Sequence, residues 1–418
     1  MNYSVKAGTR KGRVLIPASK SYAHRLLICA ALSAKPTSVI CDGTSKDITA
    51  TARCLQALGG NITINGNEIA VEPIKGENNK CILDCNESGS TLRFLLPIVG
   101  ALGISATFIM AKGLAARPVD DLLNVMGAHG VKICKGMDSI SLEGQMTAGE
   151  YSIPGNVSSQ YISGLLMALP LLDGDSRLTI TGTSESRDYI RITEDTLLKA
   201  GIEFEQTDCE YRFKGNQQYK AGEKEYVERD WSNAAFFLCM GALSHEGITV
   251  EKMLMKSRQG DRAILDILEN AGAEVTIHGD EINVKRKELK AQTIDAAGIP
   301  DLVPTIAALA SLCEGRTIIK NAGRLRIKES DRLKTTSDML KSLGASIMQT
   351  EDGLIIDGKK KLTGGIVDAC NDHRIAMAAA VAAFGCEHDV VVKGAECIAK
   401  SYPGFWEHLE GLEKENEQ

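Results

Sequence analysis

Leu343-Gly344-Ala345-Ser346-Ile347-Met348-Gln349-Thr350-Glu351-Asp352-Gly353-Leu354-Ile355-Ile356 reads as the end of a helix, a glycine and a hairpin. Glycine suits the position just past a helix, where φ is positive. The apolar alternation from Ile347 to Ile356 about a polar turn is what a half-buried hairpin needs. The phrase occurs five times, at Leu58-Gly59-Gly60, Met126-Gly127-Ala128, Ala200-Gly201-Ile202, Ala271-Gly272-Ala273 and Leu343-Gly344-Ala345, with glycines 68, 74, 71 and 72 residues apart. The earlier copies run into hairpin-like segments at Ile62 to Val71, Val131 to Leu142, Ile202 to Phe213 and Val275 to Val284.

Outward from this phrase the rest of a unit repeats too. Apolar helices start near Ser21, Ser90, Ser159, Ser232, Asp301 and His373, at intervals of 69, 69, 73, 69 and 72 residues. Each leads to a β-branched strand: Ser38 to Ile40, Thr107 to Ile109, Leu178 to Ile180, Ile248 to Val250, Thr317 to Ile319 and Val390 to Val392. One period is strand, helix, strand, helix, hairpin, or βαβαββ, and the chain holds six, the last truncated after its second helix near Leu409. A stacked solenoid has a shorter period, roughly 20–50 residues. Three units make a domain-sized piece of about 200 residues. The expected fold is therefore α/β in two domains of three units each, 20–229 forming one. The other joins 1–19 to 230–418, the short N-terminal strand completing the C-terminal half.

Composition narrows the function. The chain of 418 residues is 44% apolar, with 48 Lys+Arg against 54 Asp+Glu and a net charge of −6. That is an ordinary globular balance and lacks the basic excess of a nucleic-acid binder. No secretory signal opens the chain, and the longest apolar run, Ile375 to Phe384, is half of what spans a bilayer. A cytoplasmic protein without membrane partners is expected. Twelve scattered cysteines without a Cys-x-x-Cys read as reduced thiols. Cys81 and Cys85 have no histidine at metal-ligand spacing, so no zinc site is expected. No P-loop, Gly-x-Ser-x-Gly or Gly-x-Gly-x-x-Gly supports a nucleotide fold or a hydrolase.

The charged residues collect at helix entrances. The first set reads Ser19-Lys20-Ser21-Tyr22-Ala23-His24-Arg25, Glu87-Ser88-Gly89-Ser90-Thr91-Leu92-Arg93, Val157-Ser158-Ser159-Gln160, Asp230-Trp231-Ser232-Asn233, Ile299-Pro300-Asp301 and Asn371-Asp372-His373-Arg374. Helix N-termini offer unpaired N–H groups and about half a positive charge, so several together with serines and arginines suit anions. Taken singly, each Ser or Asp is an ordinary N-cap and each Arg a solvated side chain. Arg25 and Arg93, however, interrupt apolar helices at the same offset from their serines. The second entrances add Arg117 before Pro118, read as a helix-starting proline, then Ser186-Arg187-Asp188-Tyr189, the run Arg326 to Arg332, and Lys400.

In this combination the sequence resembles the 5-enolpyruvylshikimate-3-phosphate synthases, of the enolpyruvyl transferase family. The matching motifs run in order from Lys20-Ser21 to Lys400 and include Lys328-Glu329-Ser330-Asp331-Arg332-Leu333 and Asn371-Asp372-His373-Arg374. The resemblance implies an inside-out α/β barrel: two domains, each with three units about a pseudo-threefold axis, and an active site in the cleft between them. It implies transfer of the carboxyvinyl group of phosphoenolpyruvate to the 5-hydroxyl of shikimate 3-phosphate, in a monomer without metal or cofactor. Asp301 and Glu329 match the acid/base carboxylates, and Lys20 is placed to assist. Ser21, Arg25, Ser158, Ser159, Gln160, Ser186, Asp301 and Lys328 resemble the shikimate 3-phosphate contacts. Lys20, Gly89, Arg117, Arg332, Arg374 and Lys400 resemble those for phosphoenolpyruvate, with Arg93, Tyr189 and His373 adjoining.

Glu87-Ser88-Gly89-Ser90 stands where many members carry Asn-Ala-Gly-Thr, and nothing is carried over onto Asn321 to Arg326. Gly89 leaves room beside phosphoenolpyruvate, so glyphosate is expected to compete with that substrate. The sister enzyme acting on UDP-N-acetylglucosamine shares the Arg-Pro-Val-Asp stretch of Arg117 to Asp120. It usually has Cys where Lys112 stands, and it lacks the Lys-Glu-x-Asp-Arg run. A non-catalytic six-unit clamp would explain the repeats but not the cations. Those eight cations with Asp301 and Glu329 make a site of +6, hidden within the net charge of −6.

Overall fold

The structure is a computed structural model that describes residues 1–75, 80–183 and 186–415. The chain divides into two compact units, one of Ala18–Val227 and one joining Met1–Pro17 to Glu228–Gln418.

Within Ala18–Val227 three four-stranded sheets share one plan, in which a parallel pair is followed by an antiparallel hairpin. Lys80–Asn86 runs parallel to Ser105–Met110, which pairs antiparallel with Ser139–Glu143 and then Lys132–Lys135. Glu150–Pro154, Ser176–Thr181, Glu210–Phe213 and Glu205–Gln206 repeat it. In the third sheet Lys224–Tyr226 returns to lie parallel to Thr37–Ile40, which pairs with the Glu68–Glu72 and Asn61–Asn65 hairpin. The last strand of this unit thus completes its first sheet.

The other unit follows the same plan with strands lent by the N-terminus. Arg10–Leu15 lies parallel to Ile248–Glu251, and Asn2–Val5 takes the antiparallel place beside Val390–Lys393, itself parallel to Gly365–Asp368. The middle sheet is Thr293–Asp295, Arg316–Lys320, Leu354–Asp357 and Ser346–Gln349. Two N-terminal strands are used, not one. The truncated sixth repeat lacks its own hairpin, and Asn2–Val5 stands in for it.

Each unit closes over its own apolar core, built around the three helices that follow the parallel strands. Trp231–Leu243 and His373–Ala383 are buried at every position, which explains why their apolar residues run all round rather than along one stripe. Serine and aspartate cap them: Ser88 accepts from the Thr91 N–H, Ser158 from Gln160, Asp230 from Asn233 and Asp372 from Arg374. Capping is therefore at least one role of each of these four residues.

Local expectations fail in two places. Gly127 lies inside the helix Asp120–Ala128, and the left-handed turn falls at Gly130, φ +100°, because the helix runs on past the repeat position. Pro118 does not start a helix. It precedes the first helical residue, Asp120, by two, and its carbonyl accepts from Arg93 and from the Tyr161 hydroxyl. No helix among the described residues is long and apolar enough to cross a membrane. The twelve cysteines are free, eight of them buried.

Candidate active site

In Ala18–Val227 the predicted residues sit at the entrances of the helices Lys20–Leu32, Gly89–Leu102, Ser159–Ala168 and Arg187–Lys199. A Cβ added to Gly89 would lie 2.9 Å from Nη1 of Arg117 and 3.0 Å from Nη1 of Arg93, so this glycine lets two guanidiniums meet over one helix N-terminus. Arg93 donates to Oε1 of Gln160 at 2.8 Å and lies over the Tyr161 ring, while Gln160 donates to Ser90 at 2.8 Å. Ser158 and Ser159 open the helix that carries Gln160.

Arg25 is buried and structural in its contacts. It donates to Thr193, Ser163 and the carbonyls of Ser21 and Tyr189, and it rests on the Phe94 ring at 4.6 Å. Burial lowers its pKa to about 10, which leaves it a cation at neutral pH. By holding those two carbonyls Arg25 fixes the backbone at Ser21 and at Tyr189, in the first turn of the helix Arg187–Lys199 that Ser186, φ +52°, precedes. Lys20 donates to Asp47 at 2.7 Å.

In the other unit the predicted residues also assemble, but around carboxylates. Arg332, 1% exposed, donates to Asp301 at 2.8 Å, Glu329 at 2.6 Å and both oxygens of Asp372 at 2.8 and 3.2 Å. Burial opposes its charge, but Asp372, Glu329 and Asp301 together raise its pKa further. Arg374 takes the remaining oxygen of Asp301 at 3.0 Å and its carbonyl at 3.2 Å. Burial alone would make Asp301 a weak acid, yet Arg374, Lys328 and Arg332 outweigh it and hold the carboxyl well below the usual range.

Lys328 is the converse case. Burial pushes its pKa down to about 8, offset in part by Asp301 and deepened by Arg324 and Arg332. Lys400, nearly buried, donates to the carbonyl of Asn371 at 2.8 Å, at the entrance of the helix that His373 begins. His373 is buried, with Nδ1 3.9 Å from Asp372.

Four partners went unread in the sequence. Asp47 and Asp372 bind site cations directly, and Asp372 was visible as a cap beside His373. Arg324 lies in the stretch where nothing was carried over. Asp261, 3% exposed, accepts from the Ser232 hydroxyl. Burial first, then the neighbouring Asp301, raises its pKa to about 7. Its sequence context, Gln259-Gly260-Asp261-Arg262, carried no signal.

Arginines and lysines gathered at the helix entrances of repeated α/β units are an arrangement suited to small anions. The family profile described as EPSP synthase (3-phosphoshikimate 1-carboxyvinyltransferase) matches residues 6–409. The 3-phosphoshikimate 1-carboxyvinyltransferase of Clostridium kluyveri is 42% identical over 416 residues, covering 98% of this chain and 96% of the relative. That of Clostridium acetobutylicum is 43% identical over 410 residues, covering 96% and 95%. A solved EPSP synthase from Acinetobacter baumannii superposes with a TM-score of 0.82 at 25% identity, covering 99% and 98% of the two chains. The chain belongs to the EPSP synthase family, and its fold is the two-domain inside-out α/β fold of that family.

Proposed function

We propose that this protein transfers the carboxyvinyl group of phosphoenolpyruvate to the 5-hydroxyl of shikimate 3-phosphate, releasing phosphate. C3 of phosphoenolpyruvate takes a proton, the hydroxyl attacks C2 to give a tetrahedral phosphoketal, and phosphate leaves as the C3 proton is returned. The two substrates bring two phosphates and two carboxylates, and the cations of the clusters match that demand. Arg93, Arg117 and Lys20 beside Gly89 would receive phosphoenolpyruvate, with Arg374 and Lys400 from the second cluster. Ser158, Ser159, Gln160, Ser186 and Lys328 would hold shikimate 3-phosphate.

The observation that carries this reading is the Asp301 carboxylate held between Arg332 and Arg374. At rest those cations make it too weak a base to take a hydroxyl proton. When substrate anions draw on Arg374 and Lys328, that hold is weakened while burial remains, so the proton affinity of Asp301 rises. A base would thus be armed by substrate binding. Glu329, tied to Arg332, is the second proton carrier, and Lys20 assists at the leaving phosphate.

The enzyme works as a cytoplasmic monomer without metal, and chelators leave turnover unchanged. Incubation with phosphoenolpyruvate and shikimate 3-phosphate is expected to release phosphate, with none when UDP-N-acetylglucosamine is the acceptor. Glyphosate is expected to compete with phosphoenolpyruvate. Absence of phosphate with shikimate 3-phosphate would overturn the reading.

A further inference from the structure

Behind the Asp301–Arg374 pair lies a second buried acid with no place in the chemistry above. The helix Trp231–Leu243 packs against both the turn Gly260–Ala263, which carries Asp261, and the turn Pro300–Leu302, which carries Asp301. Ser232, on the first turn of that helix, donates to Oδ2 of Asp261. Oδ1 of Asp261 is buried and has no hydrogen-bond partner among the described residues. A buried carboxylate normally accepts several hydrogen bonds or pairs with a cation, so a half-bonded one is costly as an anion and tolerable as a neutral acid. The charged groups bearing on it are Asp301, Arg374 and Asp230, and the Arg374 guanidinium already binds Asp301 through Nη2.

We propose that Asp261 is a positioning residue for the second cluster: as a neutral acid it leaves Arg374 to Asp301 and the incoming anion, and as a carboxylate it competes for that arginine and repels both. The proposal rests on the transferase reading given above. The upward shift of Asp261 to about 7, caused by burial and by Asp301, places the change of state near neutrality. As pH rises through that value a negative charge appears beside the anion site. The affinity for phosphoenolpyruvate should then fall, with turnover at saturation less affected. Ser232 stabilises the ionised form, so removing its hydroxyl should move the transition to higher pH.

The test has two readouts. In steady-state kinetics between pH 6 and 9, wild-type KM for phosphoenolpyruvate is expected to rise several-fold above about pH 7. Asp261→Asn should abolish that rise, and Ser232→Ala should displace it upward. Independently of activity, carbon-13 NMR of aspartate-labelled protein, with Asp261→Asn for assignment, should show this carboxyl protonated at pH 6 and ionised by pH 9. A buried acid of purely structural role would lower stability when replaced yet leave the KM profile of wild type in place, and that result would overturn the proposal. So would an Asp261 signal already ionised at pH 6. Should Asp261→Asn fail to fold, the direction of the Ser232→Ala shift decides. Failure of wild type to release phosphate would instead sink the transferase reading, leaving the NMR titration to judge whether Asp261 holds a proton.

Discussion

The two clusters use similar cations in different company. In Ala18–Val227 the arginines Arg25 and Arg93 rest on hydroxyls, amides, carbonyls and aromatic rings, and Lys20 is paired with Asp47. In the other unit Arg332 alone holds three carboxylates, and Arg374 shares one of them. The first arrangement, with cations gathered at helix entrances, suits an anion that arrives from outside. The second is nearly balanced before any substrate binds, and its carboxylates are tuned by the arginines that hold them. Counting Asp47 and Asp372 with the ten residues of the proposed site lowers its formal charge from +6 to +4.

Removing one group from each side is the strongest way to break this contrast. Lys20→Ala and Glu329→Gln should each lower turnover by roughly 10²–10⁴-fold with unchanged circular dichroism, as loss of a proton-transferring or charge-stabilising group does. Near-native turnover in either would remove that cluster from the chemistry.

Stability should separate the clusters next. Arg332→Met strands three carboxylates, one of them fully buried, at a cost of about 3–5 kcal/mol. Arg25→Met leaves only neutral acceptors unpaired, about 1–3 kcal/mol. Urea midpoints compare them, and an Arg25→Met loss equal to or larger than that of Arg332→Met would erase the distinction.

Within the anion-receiving cluster, Gly89→Ala places a methyl group against Arg93 and Arg117. Both guanidiniums are the far ends of long side chains and can yield, so KM for phosphoenolpyruvate should rise roughly tenfold, about 1.4 kcal/mol, without unfolding. An unchanged KM would place phosphoenolpyruvate elsewhere.

The smallest effect concerns pH. Lys328 has a folded pKa of about 8, below the ordinary value of 10.5. Below about 8 it is charged in both states and its buried charge costs stability in full. Between about 8 and 10.5 the unfolded chain holds a proton that the folded chain has lost, so its contribution to stability rises with pH. Affinity for shikimate 3-phosphate should fall over the same range as the cation is lost. A flat kcat/KM for that substrate between pH 7 and 9.5, or a stability loss on raising pH that Lys328→Met abolishes, would refute this placement.

Much of the candidate site was legible because many of its residues lie at a repeated address, the entrance of a helix. Ser88, Ser158 and Asp372 have visible capping chemistry, and Arg25 and Arg93 stand out against apolar neighbours. Asp261 lies outside that pattern: an aspartate after a glycine looks like any turn until Ser232 and Asp301 are folded beside it. The Gly127 phrase misled for a related reason, since a glycine at the right spacing can be carried inside a helix that runs on to Gly130.

By itself the sequence determined the six-fold repeat, the α/β units and the cationic helix entrances, because periodicity and local backbone chemistry are properties of neighbours in the chain. Which carboxylates answer which cations was decided only by tertiary structure. Glu329 is Arg332's neighbour in the chain, but Asp301 and Asp372 reach it from 31 and 40 residues away, and a buried charge takes its energy from whatever stands a few ångströms away, however distant in sequence.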